Sequence, residues 1–157
     1  MDPEEADALR ALARRLELGK RVRFHGWVDR ASANRMIDAS TAVVFPAVWH
    51  EPGGTVAIEA MARGRAVVAS SAGSLPETVT HGTNGLVVPP GDAPSLAAAL
   101  DRFTTEPRLA ARMGRAGRQT AQSRHLNDHV AAVTAAYHHV LTGRQAAVNT
   151  PPRQGKK

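Results

Sequence analysis

A chain of 157 residues, 43% of them hydrophobic, has enough apolar material for one modest domain with its own core and too much to stay unfolded. Aromatics are only 4% and cysteine is absent, so the core is aliphatic, and disulfides and thiolate metal sites are excluded. The net charge of +6, from 20 Lys+Arg against 14 Asp+Glu, admits a polyanionic partner. The arginines spread over several predicted helices rather than clustering, so a solvated basic surface is the plainer reading and no specific nucleic acid is expected.

The N-terminus, Met1-Asp2-Pro3-Glu4-Glu5, is acidic where a secretory leader needs positive charge. No apolar run approaches the ~20 residues of a membrane span. A cytoplasmic location is the expectation. Residues 6–18 place Ala8, Leu9, Leu12 and Leu16 at helical spacing, with Gly19 as the stop. Residues 21–28 alternate Val22, Phe24, Gly26 and Val28, which predicts a strand. Residues 31–39 predict a short helix with Met36 and Ile37, and 41–45 a buried strand closed by Pro46. A helix over 55–63 follows a Gly-Gly turn and ends at Gly64. Residues 66–69 form another buried strand, 74–82 a short helical turn and loop, and 86–88 a strand stopped by Pro89-Pro90-Gly91-Asp92. Helices are predicted over 93–104, 107–121 and 125–141. Residues 143–157 are polar and contain Pro and Lys, which predicts a disordered tail after a domain over 1–142.

Short apolar strands alternating with helices indicate an α/β domain, a Rossmann-like parallel sheet with flanking helices. Ligands of such sheets bind outside the C-terminal ends of the strands. One such end leads into Trp49-His50-Glu51-Pro52-Gly53-Gly54-Thr55-Val56-Ala57-Ile58-Glu59-Ala60-Met61. A strand, a glycine turn and a helix start put backbone N–H groups in front of a phosphate. Glu51 in the loop and Glu59 about one turn into the helix can flank one ligand there.

These residues carry a family resemblance. Arg21-Val22-Arg23-Phe24-His25-Gly26, then Ala42-Val43-Val44-Phe45-Pro46, then Glu51 through Glu59-Ala60-Met61-Ala62-Arg63-Gly64 come in order. Ala66-Val67-Val68-Ala69 with Gly73-Ser74-Leu75-Pro76-Glu77 follows, and then His81 to Asp92. Five blocks in this order and spacing resemble the retaining nucleotide-sugar glycosyltransferases of group 1 (family 4). That resemblance implies the C-terminal, donor-binding half of a GT-B fold, present in part.

It also implies roles. Glu51, the catalytic candidate, contacts donor-sugar hydroxyls and favours positive charge at the anomeric carbon. Glu59 holds the ribose hydroxyls. The amides of Gly54, Thr55 and Val56 face the diphosphate, where the helix dipole favours negative charge, and Gly73 lines the same pocket. Arg30 or Arg35 is placed near the base. The donor is a nucleotide-diphosphate sugar, transfer retains configuration, and neither a bound metal nor any other cofactor is required.

Structural roles compete. Glu59 has Arg63 at i+4 for an ion pair, Glu51 before proline is also an ordinary loop acid, Pro52-Gly53-Gly54 is also a plain turn, and Glu77 suits a structural cap. His125 and His129 at i, i+4 lack a third ligand with supporting spacing, so they read as surface histidines rather than a metal site. Gly53 stands where the family usually carries Phe or Cys, and Ser74 replaces the second glycine of a pair.

The family's full enzymes have two Rossmann-like domains, whereas this chain is expected to lack the acceptor domain and the Arg/Lys pair that neutralises the diphosphate. The reading is therefore a donor-domain fragment, with a separate acceptor-domain chain and peripheral membrane contact left open as partners. The alternative is a non-catalytic remnant acting as a binding or interaction module.

Overall fold

The structure is a computed structural model that describes residues 3–124 and 126–142. The predicted tail over 143–157 lies outside the described residues. The chain divides into two compact units, Met1–Ser40 and Thr41–Lys157.

The first unit holds helix α1 (Pro3–Arg15), a 3₁₀ turn at Gly19–Arg21 and helix α2 (Arg30–Ala39). Helix α1 stops short of the glycine that the sequence suggests. Glu17 takes the left-handed conformation at φ +51, Leu18 N–H reaches the Ala13 carbonyl and Glu17 N–H the Arg14 carbonyl. That pair of bonds closes the last turn as a Schellman motif built on glutamate. Asp29 starts α2, accepting the Ser32 N–H at 2.9 Å and the Ser32 hydroxyl at 2.8 Å.

The strand expected over 21–28 is not formed. Val22 is extended (φ −119, ψ 132), but Gly26 turns to φ +65, and no strand is described in this unit for it to pair with. Alternation gives a segment two faces, and ladder bonds to a neighbour make it a strand. Phe24 instead lies exposed with the Arg10 guanidinium over its ring. Among the described residues of this unit none is buried.

The second unit is the α/β body. Strands β1 (Ala42–Phe45), β2 (Ala66–Ser70) and β3 (Gly85–Val88) form a parallel sheet in the order β1-β2-β3. Ala42 pairs with Ala66 and Val67 with Gly85. The central strand β2 is buried along its whole length, as both faces of a parallel sheet must be. Strand β1, expected to be buried, is an edge strand and mostly half-buried.

Helix α3 (Thr55–Ala62) links β1 to β2, and the short α4 (Leu75–Thr78) links β2 to β3. Helices α5 (Ala93–Thr105), α6 (Pro107–Gln122) and α7 (Leu126–Thr142) follow. Ala66, Val68, Leu86 and Val88 pack with Ala99 and Phe103 of α5 and with Leu109, Ala110 and Met113 of α6. Asp92 starts α5 by accepting the Ser95 N–H at 3.0 Å, and Pro107 opens α6, both favoured starts.

Close packing fixes where α3 can lie. A Cβ on Gly114 of α6 would overlap the Gly64 carbonyl just after α3, and one on Gly117 would sit 3.0 Å from Met61 Cγ. Buried Asn84 ties the loop before β3 to α6. Its amide nitrogen donates to the Thr78 carbonyl at 3.2 Å and to Thr120 Oγ1 at 3.1 Å. Its Oδ1 accepts the Thr80 N–H at 2.7 Å.

Candidate functional site

The loops leaving β1 and β2 meet at the C-terminal ends of the strands. Ser70, the last residue of β2, donates its hydroxyl to the Ala47 carbonyl at 2.6 Å and ties the two loops together at their base. Farther out, Gly73 and Ser74 hold Glu51 by its backbone. The Ser74 N–H and hydroxyl both donate to the Glu51 carbonyl, at 2.8 and 3.1 Å. Gly73 has φ +58, and a Cβ there would overlap the Glu51 nitrogen and carbonyl oxygen. Only glycine permits this approach at this backbone conformation.

The Glu51 side chain turns back over the glycine turn. Oε1 accepts the Gly54 N–H at 3.1 Å and the Gly53 N–H at 3.4 Å, and Oε2 accepts Trp49 Nε1–H at 3.1 Å. The Gly54 amide, then the Trp49 indole and the Gly53 amide, hold the Glu51 carboxyl below its ordinary 4.5 against the opposing effect of burial. The carboxylate is thus fixed as an anion beside the start of α3.

Gly54 precedes α3 at φ +55, and a Cβ on it would meet Leu75 Cδ2 at 2.9 Å. The first internal bond of α3 runs from the Ala57 N–H to the Gly54 carbonyl at 2.9 Å. The Thr55 and Val56 amides lie ahead of it, on exposed residues, in the position that serves anions. Of the three amides expected to face a diphosphate, Gly54 already serves Glu51, while Thr55 and Val56 begin the helix. Glu59 is half-buried, four residues after Thr55 and three after Val56, and so shares their helix face. The opposite face, Ala57, Ala60 and Met61, is buried.

Two neighbours of Glu51 were not singled out by the sequence. Trp49 stood in the motif without a role, and Ser74 looked like a departure from a glycine pair. No local signal marked Ser74, because the carbonyl it bonds lies 23 residues away in the chain. Glu77 is exposed, and its carbonyl accepts Arg124 Nη2–H at 2.9 Å. Arg30 and Arg35 belong to α2 in the first unit, where Arg35 Nη2 donates to Ser32 Oγ at 2.8 Å.

A cavity of about 150 Å³ opens nearby, lined among others by Pro46, Ser70, Val88 and Asp92. It excludes the predicted residues and is smaller than the roughly 300 Å³ at which small-molecule sites begin. Among the described residues there is no group of metal-ligating side chains. His125 lies outside the described residues, and the side chain of His129 is likewise not described. No described helix is long and apolar enough to cross a membrane.

Comparison with known proteins agrees with this architecture. The profile of the glycosyl transferases group 1 matches residues 2–120. A D-inositol 3-phosphate glycosyltransferase of Streptomyces griseus is 39% identical over 117 residues, 74% of this chain and 25% of that protein. Among solved structures, sucrose-phosphate synthase of Thermosynechococcus elongatus superposes with a TM-score of 0.77 at 34% identity, over 92% of this chain and 37% of that one. HepE of Anabaena, solved with UDP, gives 0.75 at 29% identity over 88% and 36%. The chain thus spans about a quarter to two fifths of the length of such relatives. By the length of the family match and the shared parallel sheet, this chain belongs to the group 1 glycosyl transferases and has a GT-B-type α/β fold, of which it represents a part.

Proposed function

We propose that the second unit binds the nucleotide-diphosphate portion of a sugar donor at the start of α3, in the service of retaining glycosyl transfer to an acceptor. One observation carries the reading: Gly73 and Ser74 lock the Glu51 backbone beside the helix start that offers the Thr55 and Val56 amides. HepE has been solved with UDP and with UDP-glucose, which makes a uridine diphosphate sugar the first donor to test.

In this reading the amides of Thr55 and Val56, with the helix dipole behind them, take phosphate oxygens. Glu59, on the same helix face, accepts two ribose hydroxyls. Glu51, held ionised, accepts hydroxyls of the donor sugar and stabilises positive charge as the bond to the leaving diphosphate breaks. Gly54 closes the turn against Leu75 and holds the Glu51 carboxylate by its amide, and Gly73 keeps Glu51 in register. No metal or other cofactor has a step. The alternative is a remnant that binds without transferring. Turnover by the isolated chain would exclude it.

The direct test is titration of the ¹⁵N-labelled chain with UDP-glucose, followed by amide resonances. The reading expects the largest shifts at Gly54, Thr55, Val56 and Glu59. Saturable binding with these four amides unmoved would place the ligand elsewhere.

A further inference from the structure

The loop that leaves β1 is anchored at both ends of a short arch. Ser70 holds the Ala47 carbonyl at 2.6 Å, and Gly73 and Ser74 hold the Glu51 backbone. Trp49 stands in the middle of that arch, so its backbone is placed and only its side chain has a direction left to take. Within this unit the residue is 58% exposed, so packing against the core of the α/β body does not set the ring. Its one polar atom does: Nε1–H donates to Glu51 Oε2 at 3.1 Å.

The N–H groups that reach the Glu51 carboxylate are unequal. The Gly54 amide bonds Oε1 at 3.1 Å. The Gly53 amide, at 3.4 Å from the same oxygen, lies beyond the roughly 2.7–3.2 Å of ordinary N–H···O bonds. The last torsion of a glutamate side chain is soft. Bonds to Oε1 alone would therefore leave the carboxylate free to swing about Cγ–Cδ. A donor on the other oxygen fixes the plane, and Trp49 supplies it. Both firm bonds favour the ionised form, the Gly54 amide first and the indole second.

What remains open on the carboxylate names what it can meet. An ionised carboxylate offers about four lone pairs. One firm bond to each oxygen leaves acceptor capacity on both, in a plane set by the indole. Neighbouring hydroxyls of a sugar ring match that pattern, whereas a phosphate, itself an acceptor and an anion, does not. The indole N–H is a donor only, so it does not compete with Glu51 for those hydroxyls.

We infer that Trp49 is a positioning residue: its indole N–H sets the plane in which the Glu51 carboxylate meets the donor sugar. The sugar in this statement rests on the donor reading above, while the bond between indole and carboxylate stands apart from it. The test follows the indole N–H resonances of the ¹⁵N-labelled chain, which has two tryptophans, as the pH is lowered. Trp27→Phe removes one resonance and so identifies the other. The Trp49 resonance should shift as Glu51 takes up its proton, and should hold still over the same range in Glu51→Gln. Trp49→Phe keeps an aromatic ring and removes the N–H. It should weaken UDP-glucose binding about three- to tenfold and change UDP binding by less than about twofold, since UDP brings no sugar to Glu51. The inference is overturned if the Trp49 resonance does not follow Glu51, or if Trp49→Phe binds both ligands as the parent does or loses both alike. A parent that binds neither ligand contradicts the donor reading instead, and the resonance then decides whether the indole holds the carboxylate.

Discussion

Gly73 and Glu51 touch backbone to backbone, twenty-two residues apart in sequence, and a single added methyl group at Gly73 would overlap the Glu51 carbonyl. The contact couples the loop after β2 to the loop after β1 and sets the position of the site's first carboxylate. Gly73→Ala therefore strikes fold and site together. The left-handed backbone at φ +58 alone costs a residue with a Cβ about 1–3 kcal/mol, and the overlap is with backbone that cannot rotate away. Urea denaturation should show a loss of at least that size, with weakened donor binding in the fraction that stays folded. A loss below about 0.5 kcal/mol would mean that the two loops are not held as described.

Asn84 tests the other side of the α/β unit. Its side chain is buried and serves the Thr80 N–H, the Thr78 carbonyl and Thr120 Oγ1. Asn84→Ala leaves these groups without their partner, at a cost of about 1–3 kcal/mol. Thermal or urea unfolding reads the loss. A variant as stable as the parent would show that the loop reaches α6 by other means.

Glu51 makes a pH-dependent prediction. Its carboxyl is held below 4.5 in the folded chain, first by the Gly54 amide and then by the Trp49 indole. Folding thus favours the ionised form. The resulting stability is present above the unfolded value and disappears as pH falls through the folded one. Glu51→Gln should be less stable than the parent near neutrality, and the gap should close as the pH is lowered through the acid range. Asp29 and Asp92 are lowered by their helix-start bonds to Ser32 and Ser95, but both proteins share them, so the difference isolates Glu51. A gap that stays constant across pH would remove the charge from the account.

The α/β body was readable because each signal was local. Asp92 and Pro107 announce helix starts, the Gly53-Gly54 turn precedes an apolar helix, and 66–69 is too apolar to be anything but a buried strand. Residues 21–28 misled because alternation records two faces and says nothing about whether a neighbour supplies ladder bonds. Helix α1 ended early because Glu17 adopted a conformation usually left to glycine. The residues of the candidate site could be named from the motif, but not the joints between them. The crossing of Gly73 over Glu51 is a tertiary contact with no sequence period. The turn of the Glu51 carboxylate onto Gly54 depends on loop geometry that residue types alone do not set.

The central claim is a nucleotide site that uses Glu59 and the first amides of α3. Calorimetric titration with UDP, comparing the parent chain with Glu59→Ala, tests it most directly. The account predicts measurable binding by the parent and a loss of at least about tenfold in the variant, the worth of hydrogen bonds to a charged group. Folding stability should change by less than about 1 kcal/mol. Equal affinity in the two proteins, or no binding of UDP by the folded parent, would contradict it.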